Sequence, residues 1–130
     1  MPITLPPNLM VSVSGVRGRV GDPLTPELMA QIAAAFGTFM RAKGEGAPIY
    51  VGRDSRVSGP MFSRAVISGL QSVGAKVVDL GMVPTPTLML AVEQAEASGG
   101  IVITASHNPA DWNALKLVTG EGVFLAKEQS

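Results

Sequence analysis

The sequence places one serine where chemistry is easily organised, on a short loop directly after an apolar segment. Residues 104–109 read Thr-Ala-Ser-His-Asn-Pro and follow the run 99–103, which reads Gly-Gly-Ile-Val-Ile. The β-branched run is typical of a central strand that is buried on both faces. Open α/β sheets bind their ligands beyond the carboxyl ends of such strands. Ser106 is therefore the first candidate for a reactive hydroxyl, although an isolated serine on such a loop more often only caps it.

The surroundings of Ser106 favour one kind of serine chemistry. A serine hydroxyl is a weak nucleophile that needs a neighbouring base or a strongly positive environment. No Asp–His relay with hydrolase spacing and no Gly-x-Ser-x-Gly elbow accompanies Ser106, which argues against a serine hydrolase. Phosphoryl transfer depends mainly on positioning and charge neutralisation. Ser106 with Mg²⁺ and cationic side chains nearby would suffice, so phosphoryl transfer is the favoured chemistry.

Arg17 is the first candidate for such a cation. It lies in the segment 14–18, Ser-Gly-Val-Arg-Gly, within a predicted glycine-rich loop over 14–21. Glycines allow the backbone to approach a ligand, and a guanidinium matches phosphate with forked donors. The segment lacks the Gly-Lys-Ser/Thr ending of a Walker loop and does not fit the dinucleotide fingerprint. A solvated turn with arginines is the alternative interpretation.

Lys116 is the second candidate cation. It lies in the segment 113–116, Asn-Ala-Leu-Lys, ten residues beyond Ser106. Because side chains alternate along a strand, Lys116 is expected on the face opposite that of Leu115 and Leu117. The alternative is a lysine on an edge strand that discourages aggregation between sheets.

The remaining polar residues of the loops allow more than one interpretation. His107 is the only histidine and could act as a general base, but bracing the loop through its ring nitrogens is an equal alternative. Asn108 and Pro109 form a turn signal, and we expect them to hold the serine in place. The charged turn 53–56 could bind an anion, yet a local Asp–Arg pair that orders the turn explains it equally well, so we assign it no catalytic role.

Strands and helices alternate along the chain and would position these loops. Helices are predicted after Thr25-Pro26 and Thr85-Pro86, two N-cap signals, and after the turn that ends at Pro60. The predicted strands are 9–13, 49–52, 76–80 and 101–103. Two further apolar runs, 115–118 and 123–125, flank a glycine-rich turn and predict a β-hairpin. Together these elements predict a three-layer α/β/α sandwich with a mostly parallel mixed sheet, to which the hairpin adds an antiparallel edge.

Composition limits the classes of function. The chain has 130 residues, the length of one domain, and its ten basic and ten acidic residues cancel. No global field therefore favours nucleic acid or an anionic membrane as a partner. The apolar runs fall short of the ~20 residues that a bilayer requires. The absence of cysteine and of a signal-peptide pattern predicts a cytoplasmic protein.

Four of the segments described above occur together in the α-D-phosphohexomutases, which move a phosphoryl group between the 1- and 6-hydroxyls of a hexose. The segments are 14–18, 52–56, 104–109 and 113–116, in family order and at family-like separations. The chain resembles the first domain of these enzymes, in particular bacterial phosphoglucosamine mutase and phosphomannomutase. The resemblance covers nearly the whole of residues 1–130. One departure is Ala114, where the family usually has glycine, and we expect a slightly different loop backbone with intact chemistry.

The resemblance implies a role for each residue at a matching position. Ser106 matches the phosphoserine and would bind Mg²⁺ through its phosphate. Lys116 and Arg17 match the family's candidates for the general acid and the general base. Because an arginine is a poor base, we assign proton transfer to Lys116 and transition-state charge to Arg17. Ser14, Arg17, His107 and Lys116 would contact the substrate phosphate.

The resemblance also implies a larger protein, with hexose phosphate and three further domains as partners. The family's aspartate-rich metal loop, sugar loop and second phosphate loop do not occur in this sequence. We therefore expect residues 1–130 to be a piece of a four-domain enzyme that is inactive in isolation. Surfaces that would face the missing domains, around the hairpin, predict self-association. The alternative is a stand-alone, non-catalytic module for binding phosphate or sugar phosphate, or for assembly.

Overall fold

The computed structural model describes residues 9–12, 15–43, 46–106 and 108–125, which form six strands and three helices. In chain order the elements are β1 (Met10–Ser12), β2 (Gly15–Arg19), α1 (Pro26–Lys43), β3 (Ile49–Arg53), α2 (Gly59–Ser72), β4 (Val77–Met82), α3 (Thr85–Gln94), β5 (Gly99–Ile103) and β6 (Trp112–Thr119). None of the helices in these ranges is long and apolar enough to cross a membrane.

All six strands belong to one mixed sheet in the order β1-β2-β6-β5-β3-β4. The strand β3 runs parallel to both of its neighbours, β4 and β5, whereas the pairs β5–β6, β2–β6 and β1–β2 are antiparallel. The predicted α/β class with a mixed sheet is confirmed. The prediction of a mostly parallel sheet is wrong, because parallel pairing is confined to β3, β4 and β5.

The helices cover the two faces of the sheet and complete the three predicted layers. On one face, α1 and α2 pack together over a large core that includes Phe36, Phe62 and Ile101. On the other face, α3 buries Leu88 and Val92 against a smaller cluster from β5 and β6. Side chains of β5 enter both cores, because successive residues of a strand point to opposite faces. The strand is buried throughout, as its apolar sequence predicts.

Local sequence signals account for the start of α1 and the end of α2. Thr25 caps α1 as predicted, since its Oγ1 accepts a hydrogen bond from the backbone N–H of Leu28 at 3.1 Å. Gly74 follows α2 with a φ of 81°, the left-handed conformation that favours glycine at this position. The predicted cap at Thr85 is wrong. Helix α3 already begins at that residue, and Pro84 stands at the N-cap without a side-chain bond.

Helices α1 and α2 approach closely at Gly69. A Cβ atom on Gly69 would lie 2.3 Å from the carbonyl oxygen of Ala30, which is well inside contact distance. The absence of a side chain therefore allows the backbones of the two helices to touch at this point.

Two predictions about the sheet are corrected by the strand pairing. Much of the expected loop over 14–21 is strand β2, whose residues pair with both β1 and β6. The arms of the predicted hairpin are paired by a bridge between Val118 and Phe124 and by hydrogen bonds from the N–H of Thr119 to the carbonyl of Val123 (2.8 Å) and from the N–H of Leu125 to the carbonyl of Leu117 (3.0 Å). Its first arm, β6, lies inside the sheet between β2 and β5, so the hairpin forms no antiparallel edge. Lys116 is accordingly not on an edge strand.

The chain order of the parallel strands sets apart one end of the sheet. From β3 the chain passes through α2 to β4 on one side, and then through α3 to β5 on the other side. The chain leaves β3 toward β4 on one side, whereas it leaves β5 toward β6 on the other side, so the two connections diverge beyond the carboxyl ends of these neighbouring parallel strands, which makes a topological switch point. Such a switch point is where open α/β folds bind their ligands. Asp54 and Thr104 are the first residues after the two strands.

Candidate active site

Ser106 lies in a tight turn immediately beyond β5. Its φ of 54° places a residue other than glycine in the left-handed region, a conformation that costs on the order of 1 kcal/mol or more. The turn is closed by a hydrogen bond from the N–H of Asn108 to the carbonyl of Ala105, at 3.0 Å. Ser106 itself is exposed. The turn therefore presents Ser106 to solvent beyond the carboxyl end of β5.

The ammonium group of Lys116 contacts the Ser106 hydroxyl directly. Its Nζ donates a hydrogen bond to Oγ at 2.9 Å. Lys116 lies in β6 opposite Val102 of β5. The strand register therefore brings it to the end of the sheet where residues 104–109, which we call the serine loop, begin. Leu115 packs into the larger core, on the opposite face. The face predicted for Lys116 from strand alternation is the face on which it lies.

Burial and neighbouring charges both shift the pKa of Lys116. Partial burial lowers the pKa of Lys116 below its ordinary value, and the positive charge of Arg17 lowers it further. The carboxylate of Asp54 raises the pKa and offsets part of this effect. The ring of Phe124 lies under the ammonium, with its centroid 5.8 Å from Nζ. A lysine with a lowered pKa exchanges its proton more readily near neutral pH than an exposed lysine does.

Arg17 lies on the same face of the sheet as Lys116. In the register of β2 and β6, Gly15 is opposite Lys116 and Arg17 is opposite Ala114. Residues two apart on a strand share a face, so Arg17 and Lys116 are close neighbours. The guanidinium of Arg17 is exposed and donates a long hydrogen bond, 3.5 Å, to Oδ1 of Asn108. It is placed at the rim of the serine loop with its donors accessible from solvent.

A buried polar network fixes the amide of Ser106. The carboxylate of Asp54 accepts a hydrogen bond from Oγ1 of Thr104 at 2.7 Å. The same Oγ1 accepts the backbone N–H of Ser106 at 3.2 Å. Thr104 is buried, and the N–H of Asp54 donates to the carbonyl of Ile103 at 3.1 Å. The ends of β3 and β5 are therefore joined through side chains as well as through the sheet.

Arg56 holds the carbonyl side of the same loop. Its Nε forms an ion pair with Oδ2 of Asp54 at 3.3 Å, which is the local Asp–Arg pair considered for this turn. The remaining guanidinium donors all go to backbone carbonyls, three in the serine loop and one at the start of β6. These acceptors are the carbonyl oxygens of Ser106 (2.9 Å), Asn108 (2.8 Å), Pro109 (2.6 Å) and Trp112 (3.2 Å).

Some of the predicted site residues lie together in the structure, and others lie outside the described residues. It brings Ser106, Lys116, Arg17 and Asn108 together, and the carbonyl of Pro109 accepts hydrogen bonds within the loop. Ser14 and His107 lie outside the described residues. Within the part of the chain that the structure describes, no three His, Cys, Asp or Glu side chains are grouped to hold a metal ion. These residues alone do not fit a complete Mg²⁺ site.

Thr104, Asp54 and Arg56 were not predicted as parts of the site. Two signals were available in the sequence. A threonine two residues before Ser106 can form a local side-chain turn to the backbone. In a doubly wound sheet, moreover, the residues that follow neighbouring parallel strands meet at the switch point. The acceptors of Arg56 are main-chain carbonyls, which leave no mark on the sequence.

Comparison with known proteins agrees with this geometry. Residues 9–130 match the family model described as phosphoglucomutase/phosphomannomutase, alpha/beta/alpha domain I. The chain is 47% identical over 116 residues to the phosphoglucomutase/phosphomannomutase of Thermococcus kodakarensis, covering 88% of this chain and 25% of that protein. It is 46% identical over 120 residues to the phosphoglucosamine/phosphogalactosamine mutase of Sulfurisphaera tokodaii, covering 92% of this chain and 26% of that protein.

A solved structure supports the same assignment. The crystal structure of a phosphoglucomutase/phosphomannomutase family protein from Burkholderia thailandensis superposes with a TM-score of 0.78 at 35% identity. The superposition covers 90% of this chain and 27% of that protein. The chain thus spans about a quarter of the length of the relatives that it matches. Its sequence and its fold agree in one conclusion: the chain belongs to the phosphoglucomutase/phosphomannomutase family, as a domain I.

Proposed function

We propose that this chain is the phosphoserine-carrying domain of a phosphohexomutase, an isomerase that interconverts hexose 6-phosphate and hexose 1-phosphate. The observation that supports this most directly is the hydrogen bond from Lys116 to Ser106, made at the switch point of the sheet. Relatives named as mutases for phosphorylated hexoses and hexosamines support the same reaction. Phosphoglucosamine and phosphomannose are the favoured substrates.

In the proposed reaction, phospho-Ser106 gives its phosphoryl group to a sugar hydroxyl. The bond between phosphorus and Oγ breaks, a bond between phosphorus and the sugar oxygen forms, and the product is a hexose bisphosphate. The sugar hydroxyl loses one proton and Oγ gains one, so no net proton is released. The Lys116 ammonium lies at 2.9 Å from Oγ and can give a proton to Oγ as the bond to phosphorus breaks, after which its neutral amine can accept the proton that the sugar hydroxyl loses. The reverse step with the other phosphate restores phospho-Ser106.

Arg17 has a separate role in this proposal. A guanidinium remains protonated and is suited to binding phosphate oxygens with two parallel donors. Its exposed position beside Asn108 allows it to reach a phosphoryl group on Ser106. Its charge would be most useful as negative charge is spread over the oxygens in the transition state. It also lowers the pKa of Lys116, which favours proton exchange there.

The rest of the reaction requires parts that we place outside residues 1–130. In this proposal the chain is one of four domains, and the others provide sugar recognition and the carboxylates that complete a Mg²⁺ site with the Ser106 phosphate. The chain alone is then inactive. The proposed enzyme acts in the cytoplasm on free sugar phosphates, and neither nucleic acid nor a membrane is a partner. Val123 and Phe124 are exposed and provide apolar surface for another domain or for self-association.

Substitution of Ser106 in the intact enzyme tests the proposal. With the hexose bisphosphate activator present, Ser106→Ala is expected to abolish mutase turnover and the phosphatase-sensitive increase of intact mass. Ser55→Ala is the matched control, because Ser55 is an exposed serine on the turn after β3. It should leave both measurements unchanged. Wild-type turnover by Ser106→Ala would exclude Ser106 as the carrier. Binding of sugar phosphate without any turnover by the intact protein would favour the non-catalytic module.

A further inference from the structure

Ser106 adopts a backbone conformation that its own sequence does not favour. The left-handed φ of 54° is strained for serine, and such residues keep this conformation only where their surroundings over-determine it. Among the described residues of the turn, one backbone hydrogen bond closes it, from the N–H of Asn108 to the carbonyl of Ala105. Additional contacts must therefore hold the hydroxyl in place.

The contacts come from Arg56, a residue about fifty positions earlier in the chain. We call Arg56 and the four carbonyl oxygens that it binds the carbonyl clamp; the four belong to Ser106, Asn108, Pro109 and Trp112. Each Nη atom serves two of these oxygens, at distances of 2.6 to 3.2 Å. A guanidinium has five N–H donors in a planar fork. Four are used in the clamp, and the fifth binds Asp54.

This full use of donors separates the role of Arg56 from that of Arg17. Arg56 has no N–H left for a phosphate, and its side chain is mostly buried in the ion pair with Asp54. Both sides of the Ser106 backbone are held by one network. The Oγ1 of Thr104, which is itself bound to Asp54, accepts the N–H of Ser106, and Arg56 donates to the carbonyl of Ser106. Lysine could not replace the fork, because an ammonium has three donors on one atom.

We infer that Arg56 is a positioning residue that holds Ser106 in its left-handed turn and directs the hydroxyl toward Lys116. Its importance for catalysis rests on the proposed function, whereas the geometry of the clamp does not. Arg56 does not touch the substrate in this scheme. It acts through the serine loop alone, from the segment that connects β3 to α2.

NMR of the labelled chain with Arg56→Gln and Arg56→Lys tests the inference. We expect the Cα and Cβ shifts of Ser106 to lose the signature of a left-handed residue, and the contact between the side chains of Ser106 and Lys116 to disappear. Arg56→Lys keeps the charge and the pairing with Asp54, so it maintains the fold if the glutamine variant does not. Arg56→Lys should not restore the Cα and Cβ shifts that mark a left-handed Ser106. Arg41→Gln is the matched control, because Arg41 also donates to a backbone carbonyl, that of Val73.

The results distinguish this inference from the proposed function. Unchanged Ser106 shifts in both Arg56 variants, even with a lower unfolding temperature, would show a purely structural role and overturn the inference. An equal change in Arg41→Gln would overturn it as well. In the intact enzyme, Arg56→Lys should lower kcat by on the order of a hundredfold with little change in KM, because the nucleophile is displaced. If Ser106 is displaced in Arg56→Lys but kcat is unchanged, the inference about Arg56 stands and the carrier role of Ser106 is refuted.

Discussion

Replacement of Thr104 by valine isolates the polar network beneath the serine loop. Valine keeps the branched shape and removes only Oγ1, which donates to Asp54 at 2.7 Å and accepts from the N–H of Ser106 at 3.2 Å. A hydrogen bond to a charged group contributes about 1.5–3 kcal/mol and one between neutral groups about 0.5–1.5 kcal/mol. The lower part of each range applies, because Asp54 is partly exposed to solvent.

The expected effect follows from these contributions. The two lost bonds amount to about 2–3 kcal/mol, and the added methyl group offsets up to about 0.8 kcal/mol. We therefore expect Thr104→Val to lower the free energy of unfolding by about 1.5–2.5 kcal/mol. In a domain of this size the unfolding temperature would fall by roughly 5–15 °C. The loss arises because the partly buried N–H of Ser106 loses its acceptor, while the Asp54 carboxylate loses the threonine hydroxyl and keeps its bonds from Arg56.

Urea unfolding with a matched threonine provides the assay. Thr119 is equally buried at the end of β6, but its Oγ1 accepts only a local bond from Glu121 at 3.3 Å. Thr119→Val should change the free energy of unfolding by less than about 1 kcal/mol. Unfolding is followed by circular dichroism and by the fluorescence of Trp112. If Thr104→Val is no more destabilising than Thr119→Val, the network does not stabilise the loop as described.

Two further predictions concern a helix contact and the lysine of the site. Gly69→Ala should destabilise the chain by about 1–3 kcal/mol in urea, because overlap with the Ala30 carbonyl exceeds the gain in helix propensity of about 1 kcal/mol; an unchanged midpoint would contradict the close helix contact. For Lys116, the lowered pKa means that the unfolded chain binds more protons than the folded chain between the folded pKa and about 10.4. The stability of wild type relative to Lys116→Met should therefore increase as pH rises toward about 10.5, and parallel pH profiles of the two unfolding free energies would argue against a perturbed lysine.

The secondary structure could be predicted from the sequence where neighbouring residues alone determine it, through a run of apolar side chains or a capping residue. The apolar run of β5 and the capped start of α1 are examples, since neighbouring residues determine both. Strand β2 was missed because its glycines and arginines resemble a solvated turn. Its strand conformation depends on pairing with β6, which lies nearly one hundred residues later in the chain. Such distant pairing leaves no periodic signal in a five-residue segment.

The candidate site was predictable to a similar extent. Ser106 could be singled out because a strand-end loop and a specific hexapeptide surround it. The direction of Lys116 followed from strand alternation alone. The support by Arg56 could not be predicted, because its partners are backbone carbonyls and their convergence depends on the turn at Ser106. Only the three-dimensional arrangement shows which of several arginines holds the loop.

The position of β6 between β2 and β5 has a consequence for synthesis on the ribosome. Strands β1 and β2 emerge first, yet they join the rest of the sheet only through β6. Strands β1 and β2 must therefore wait until residue 119 has left the exit tunnel before β2 can pair with β6. During that interval β3, β4 and β5 can already assemble, while the segment bearing Arg17 remains exposed to chaperones and proteases. Assembly of the sheet face that carries Arg17 and Lys116 is thus a late event in the folding of the domain.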